Sequence, residues 1–205
     1  MNNPNFRFVV IFLVFVAAGI SSPTLCEAED SWQLPETLDD TNAQVRFTVD
    51  STWHTVRGVT SGLEGKIWIE DSSDIKSLRA EISLPVGEFN TDGESRDERM
   101  REVMQAEKFS FVNLQVKSVK KLCQPSLILP ERPCQVLLDS ELKIRNVSKT
   151  LVVNAKIFRE KDGYWVRGSF PLLWSDYGVE DPSIIIAKLD KTVNVEFAVK
   201  LNGGE

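Results

Sequence analysis

The sequence predicts an all-β protein, in which an antiparallel sheet of about eight strands and one short helix follow a signal peptide. Three observations lead to this prediction. Apolar and polar residues alternate along most of the chain beyond residue 44. The segments between these runs carry turn residues and no helical crossovers, which favours antiparallel pairing. The chain also opens with an apolar run that is too short to cross a bilayer.

Residues 1–28 have the order of a secretory signal peptide. Arg7 precedes an apolar run over residues 8–20, which is 13 residues long, whereas a membrane-spanning helix needs roughly 20. Cys26-Glu27-Ala28 fits a small-x-small cleavage site, with a cut near Ala18 as the alternative. We therefore expect a periplasmic or secreted protein that is soluble and does not span the membrane once the signal is removed.

The cysteines also bear on the compartment. A bulky Leu25 directly before Cys26 argues against a lipoprotein anchor. Removal of the signal peptide leaves Cys123 and Cys134, which bracket a proline-rich loop. Because exported proteins meet oxidising conditions, a disulfide between them is favoured over two free thiols.

Residues 29–43 are polar and aperiodic, which indicates a leader segment before a single domain over residues 44–202. Within that domain, alternation with a period of two indicates half-buried strands, and Asp162-Gly163 indicates a hairpin turn. This pattern does not distinguish a sandwich from a closed barrel. The runs lie near residues 45–49, 63–69, 78–84, 111–119, 136–144, 151–157, 164–170 and 193–201.

One segment has a helical pattern instead. Ser95 to Glu98 has the form of a capping box with Ser95 as the N-cap. Met100, Val103 and Met104 then recur at helical spacing, which predicts a helix of about three turns. We expect this helix to cover one end of the sheet. Its methionines either line a ligand entrance, since Met adapts to irregular apolar shapes, or simply plug that end.

Charge and motifs exclude several classes of function. A net charge of −6 argues against a nucleic-acid partner. His54 is the only histidine, so neither a zinc site nor a Ser-His-Asp triad is expected. The chain has no Gly-x-Ser-x-Gly elbow and no glycine-rich phosphate loop. The sequence therefore predicts no enzymatic activity, no cofactor and no metal.

Four short motifs, in order, resemble the YceI-like family from about residue 45 to residue 201. This resemblance implies a lipocalin-like antiparallel β-barrel, exported in bacteria, whose apolar lumen holds a polyisoprenoid or related lipid. The chain departs from simpler members by the loop between Cys123 and Cys134. The motifs are Phe47-Thr48-Val49-Asp50 with Trp53-His54-Thr55-Val56-Arg57-Gly58, Arg96-Asp97-x-x-Met100, Lys108-Phe109, and Tyr177-Gly178 with Asp181-Pro182-Ser183.

If the lumen is the binding site, alternating strand positions and the helix are expected to line it, although ordinary core packing explains the same residues. A hydrogen bond from His54 to a lipid headgroup is one interpretation, and a structural bond to a neighbouring carbonyl is the favoured one. Arg96, Asp97 and Arg99 are interpreted as an ion network at the helix start, with a role in binding as the second interpretation. The predicted wall residues are Phe47, Val49, Val56, Phe111, Leu142 and Phe170, and the predicted entrance residues are Phe89, Met100 and Met104.

These observations favour a non-enzymatic carrier or sequestering protein for an apolar lipid. The alternative is a structural or interaction module of the envelope, with a packed interior and the loop between Cys123 and Cys134 as its partner surface. An esterase ranks third and requires His54 beside an exposed serine and a carboxylate. The oligomeric state is open, and a homodimer is compatible with the sequence.

Overall fold

The computed structural model describes residues 34, 36–71, 74–121, 123, 128–161, 163–183 and 188–202. The predicted signal peptide, its cleavage site and Cys26 lie outside the described residues. Within them the chain forms one α-helix, α1, over Glu94–Met104, and eleven strands. The strands are β1 (Glu36–Leu38), β2 (Ala43–Ser51), β3 (Thr55–Thr60), β4 (Glu64–Ile69), β5 (Leu78–Pro85), β6 (Phe89–Asn90), β7 (Phe111–Lys121), β8 (Cys134–Ile144), β9 (Val147–Glu160), β10 (Gly163–Leu173) and β11 (Leu189–Leu201).

All eleven strands belong to one antiparallel sheet, in the order β1-β4-β5-β7-β8-β9-β10-β11-β2-β3-β6. The sheet curls around a central cavity, so the predicted antiparallel barrel class is confirmed and a two-sheet sandwich is excluded. The count of eight strands was too low because β1 and β6 are too short to show alternation. Strand β3 was also missed, because Gly58 and Thr60 occupy inward positions while the apolar Val59 faces outward, so apolar and polar residues do not alternate along it.

Part of the predicted leader belongs to the sheet. Glu36–Leu38 forms β1 and pairs with β4, with Leu38 opposite Gly65. The Leu38 side chain is only 1% exposed and packs in the hydrophobic core. The prediction of an aperiodic leader through residue 43 was therefore wrong for these residues, because three residues are too few to reveal a strand.

Helix α1 has the predicted length, but its start differs from the predicted capping box. The N-cap is Gly93, which has no side chain to donate or accept a bond, and Ser95 already lies inside the helix. The buried carboxylate of Asp97 instead accepts the Thr91 backbone N–H at 3.0 Å and the Thr91 hydroxyl. Asp97 therefore fixes the chain entering α1. Within the described ranges, no helix has the length and apolar character of a membrane span.

Side chains fill one end of the barrel, which we call the packed end. Cys123 and Cys134 form the predicted disulfide, with their Cα atoms 6.0 Å apart. Ile128, from the loop that this disulfide closes, has no exposed surface and packs in the core. The loop therefore contributes to the core as well as to the surface. The packed end is formed by Leu38, Ile128, Tyr164 and Leu201, each no more than 2% exposed.

Candidate functional site

The curled sheet and α1 enclose a cavity of about 630 Å³, which we call the lumen. Strands β2 to β11 all contribute side chains to its wall. Protein interiors rarely contain voids larger than a water molecule. The lumen is therefore a built feature of the fold.

The wall of the lumen is almost entirely apolar. Ile82, Leu84, Leu114 and Leu138 are only half-buried although they point into the barrel, because they border the lumen. No Asp or Glu of the described chain lines it. Such a surface favours contact with a hydrocarbon over contact with water.

Two aromatic rings lie against the wall because glycines face them from the adjacent strand. Phe47 of β2 is opposite Gly58 of β3, and Phe197 of β11 is opposite Gly168 of β10. A Cβ at Gly58 would lie 2.2 Å from Cζ of Phe47, and one at Gly168 would lie 2.5 Å from Cζ of Phe197. Each ring thus occupies the space above a glycine, which keeps it close to the sheet.

At the end opposite the packed end, α1 packs against the barrel, and some residues that line the lumen are exposed, so we call this end the mouth. β2 and β11 connect the two ends, since Ser51 and Leu189 line the lumen near the mouth while Ala43 and Leu201 belong to the core of the packed end. The residues at the mouth are Ser51 and His54 on either side of a turn, Ser95, Arg96 and Arg99 of α1, and Pro182 and Ser183.

A local hydrogen-bond network fixes one side of the mouth. The Asp181 carboxylate accepts the Ser183 backbone N–H at 2.9 Å, and the Ser183 hydroxyl oxygen accepts the Leu189 N–H at 2.9 Å. Hydrogen bonds from Ser183, side chain first and then backbone, hold the pKa of Asp181 below its usual value. The carboxylate form therefore stabilises this turn at neutral pH.

The adjacent segment is anchored by Tyr177, which is buried. Burial raises the pKa of its hydroxyl, and the charge of Asp176 adds to this effect. Gly178 follows with a φ of 67°, a conformation that glycine adopts without strain, and its carbonyl accepts a hydrogen bond from Arg145 in the turn between β8 and β9. The residues of the Tyr177-Gly178 motif therefore position a rim segment.

A family model described as a YceI-like domain matches residues 37–201. The chain belongs to the YceI-like family. Among curated proteins, no significant match was found.

Solved structures share the fold of this YceI-like chain at low identity. BcnA of Burkholderia cenocepacia is 11% identical, with a TM-score of 0.63 over 77% of this chain and 94% of that one. A polyisoprenoid-binding domain from Saccharophagus degradans, implicated in plant cell wall breakdown, is 15% identical, with a TM-score of 0.64 over 85% and 98%. The Campylobacter jejuni YceI protein is 18% identical, with a TM-score of 0.59 over 73% and 86%.

The YceI-like structure brings nine of the ten predicted binding residues to the lumen or its mouth. The exception is Phe111, which is 50% exposed on the outer face of the sheet. Its neighbour Val112 faces inward, as do Leu114 and Val116, so the alternation within β7 excludes Phe111 from the lumen. The nine are Phe47, Val49, His54, Val56, Phe89, Met100, Met104, Leu142 and Phe170.

His54 is exposed at the mouth. Its backbone carbonyl accepts a hydrogen bond from the Ser51 hydroxyl at 2.6 Å, and its backbone N–H donates to the Ser51 hydroxyl oxygen at 3.2 Å. The imidazole makes no hydrogen bond within the described residues, so the favoured bond from the ring to a neighbouring carbonyl is not observed there. Since Ser51 is engaged by the backbone, the pair does not have the arrangement of a nucleophile and its base.

Arg96, Asp97 and Arg99 do not pair with one another at the start of α1 as predicted, but bond to other residues. Arg96 and Asp97 both bind Thr91, and Arg99 pairs with the exposed Glu102 at 3.0 Å. Arg96 and Arg99 also line the mouth, a role that ranked second for them in the interpretation of the sequence. Within the described ranges, no cluster of three or more His, Cys, Asp or Glu side chains is suited to hold a metal ion.

Several wall residues were not predicted, although the alternation within their strands could have identified them. The strands that carry them were predicted correctly, and alternate positions of a strand that already has buried residues on one face point toward that same face. The two glycines opposite aromatic rings carry no signal in a single sequence, because their role depends on the strand register. The missed apolar wall residues include Ile82, Leu84, Leu114, Leu138, Val195 and Phe197.

Proposed function

We propose that this YceI-like protein is an exported, non-enzymatic binding protein that holds an apolar lipid, of the polyisoprenoid type, in its lumen. The observation that carries this proposal is the apolar lumen of about 630 Å³ with a mouth at one end. Its volume lies within the range of about 300–1,000 Å³ that is typical of small-molecule pockets. The Saccharophagus degradans neighbour, which is described as polyisoprenoid-binding, supports the same ligand class.

The energetics favour a long hydrocarbon. Each buried methylene contributes about 0.8 kcal/mol, so ten of them contribute about 8 kcal/mol before the cost of association. That cost is at least about 4 kcal/mol, so micromolar affinity, about 8 kcal/mol, requires roughly fifteen buried carbons. A lumen lined along the inner faces of ten strands offers that contact to a slender chain.

Export is supported by the signal-type N-terminus of the sequence. The disulfide between Cys123 and Cys134 agrees with it, because such bonds persist in oxidising compartments. An envelope module without a ligand would need a packed interior, which the lumen does not provide. The arrangement of Ser51 and His54 supports binding rather than hydrolysis.

Native mass spectrometry of the protein purified from its own envelope, followed by lipid extraction, tests the proposal. We expect one isoprenoid lipid per chain. An empty protein that also fails to take up added polyprenol would overturn the proposed function.

A matched pair of variants locates the lipid. Leu138 lines the lumen, whereas the adjacent Leu137 lies on the outer face of the same strand. Leu138→Trp fills part of the lumen and should weaken polyprenol uptake. Leu137→Trp adds the same ring outside and should bind as the wild type does. Equal uptake by both variants, with equal thermal stability, would exclude the lumen as the binding site.

A further inference from the structure

Two arginines line the lumen at the mouth, although the chain is acidic overall. Arg96 and Arg99 are the only Asp, Glu, Lys or Arg side chains of the described residues that line the lumen, and the nearby Asp181 carboxylate is bonded to Ser183. The whole chain carries a net charge of −6. The two arginines are three residues apart in α1, so they lie on the same face of the helix. Arginine side chains at one end of an apolar lumen match the two parts of an anionic amphiphile, its charged headgroup and its hydrocarbon chain.

Arg96 is held in place by its neighbours. Its Nε donates to the Thr91 hydroxyl oxygen at 2.7 Å, and one terminal nitrogen, Nη2, donates to the Thr91 carbonyl. The Thr91 hydroxyl in turn donates to the buried Asp97 carboxylate. Gly93 leaves room for the guanidinium, since a Cβ there would lie 2.9 Å from Nη2 of Arg96. The side chain is therefore ordered before any ligand arrives, which lowers the entropic cost of binding.

These contacts leave donors free. A guanidinium has five N–H donors in a planar fork, and the hydrogen bonds to Thr91 use two of them. The other three have no protein acceptor among the described residues. Arg99 already pairs with Glu102, so Arg96 is the stronger anion-binding group. A planar fork with free donors fits the paired oxygens of a phosphate or a carboxylate.

We infer that Arg96, positioned by Thr91 and Asp97 and assisted by Arg99, binds an oxyanion headgroup at the mouth while the hydrocarbon chain occupies the lumen. This inference rests on the proposed function and narrows it, because it names the ligand as an acidic lipid rather than a neutral one. It also sets the orientation of the lipid, with the headgroup at α1 and the chain end toward the packed end.

The test compares lipids that differ only in the headgroup. Undecaprenyl phosphate and undecaprenol form one pair, and palmitate and hexadecanol form the other, so that phosphate and carboxylate are tested separately. We expect the wild type to bind the acid of at least one pair about tenfold more tightly than the alcohol, which corresponds to about 1.4 kcal/mol. Equal affinities for acid and alcohol in both pairs would overturn the inference while leaving the proposed function intact. Binding of none of the four lipids would overturn both.

Substitutions then assign the preference to Arg96. Arg96→Gln should weaken binding of the acid about tenfold more than binding of the alcohol, so that the preference for the acid is lost. Arg57 is exposed on the outer face of β3, so Arg57→Gln removes the same charge from outside the lumen and should keep the preference. Equal loss of acid and alcohol binding in Arg96→Gln would show a structural role only and overturn the inference.

Two further variants test the positioning of Arg96. Arg96→Lys keeps the charge without the fork and should retain only part of the preference. Thr91→Val removes the hydroxyl that accepts from Arg96, so it should weaken acid binding more than alcohol binding and thereby reduce the preference. An undiminished preference in Thr91→Val would contradict the positioning role.

Discussion

The substitution Gly58→Ala tests how the barrel keeps its lumen open. The added Cβ would lie 2.2 Å from Cζ of Phe47, whereas ordinary contact begins at 3.4 Å, so the ring tip has to move by about 1.2 Å, the difference between these distances. Phe89 packs against Phe47 with the ring centroids 5.7 Å apart and restricts movement on that side. The remaining free space is the lumen. We therefore expect the Phe47 ring to turn into it.

Two effects follow from this movement. Overpacking of this kind costs typically 1–3 kcal/mol, and a loss of about 2 kcal/mol lowers the melting temperature of a chain of this size by about 4–8 °C. A ring that projects into the lumen also displaces lipid. Each displaced methylene removes about 0.8 kcal/mol, so the polyprenol dissociation constant rises about fourfold per methylene. Thermal unfolding by circular dichroism and a titration with polyprenol measure the two effects.

Controls separate this mechanism from a general effect of alanine. Gly87 has no atom within 4 Å of an added Cβ, so Gly87→Ala should leave both melting temperature and affinity unchanged or raise stability slightly. The double variant Phe47→Leu/Gly58→Ala should recover part of the lost stability, because the smaller side chain no longer meets the Cβ. If Gly58→Ala behaves like Gly87→Ala in both assays, the space above Gly58 does not keep the lumen open.

Three further predictions concern the packed end and the outer surface. Reduction of the disulfide should lower the free energy of unfolding by about 2–4 kcal/mol in urea denaturation, and an unchanged midpoint would contradict its role. Ile128→Ala should cost about 2–5 kcal/mol, whereas Leu129→Ala, at a neighbouring exposed site, should cost little. Asp139 has a lowered pKa, chiefly because Lys120 bonds to it at 2.8 Å, so Lys120→Gln should raise that pKa in an NMR titration. Because the native pKa is lowered, the carboxylate of Asp139 stabilises the fold above about pH 4, and this contribution is lost as the pH falls through the native value.

The strands with one strongly apolar face could be predicted from the sequence. The alternation over residues 193–201 falls within β11, and that over residues 136–144 falls within β8. Strand β3 could not be predicted in this way, because Gly58 occupies an inward position and Val59 faces outward. Hydrophobic alternation reports which face is buried. This signal is lost in β3, where the inward residue is Gly58. A larger side chain there would occupy the space of the Phe47 ring on the neighbouring strand.

The candidate site was predicted unevenly for a related reason. Alternate residues of a strand face the same side, which places Phe47 and Val49 together on the inner face. The same rule puts Phe111 on the face opposite to Val112, but it was not applied to β7, so Phe111 was wrongly assigned to the lumen. The openness of the lumen could not be predicted, because a packed barrel has the same period of two. The role of Arg96 was also hidden, since it depends on Thr91, which the turn before α1 brings back to the helix.

Stability and binding rest on different parts of the barrel. Buried clusters lie at the packed end and also beside α1, where Val86, Val103 and Val153 belong to one core. The packed end holds nearly fully buried side chains and a disulfide, so it contributes to folding whether or not a ligand is present. The lumen wall leaves apolar side chains such as Leu114 and Leu138 only half-buried, so part of their possible burial energy remains to be gained when a lipid enters. A ligand at 100 times its dissociation constant would then stabilise the native state by about 2.7 kcal/mol. Filling the lumen with protein side chains would gain the same stability permanently and remove the capacity to bind, which explains why glycines rather than larger residues lie opposite Phe47 and Phe197.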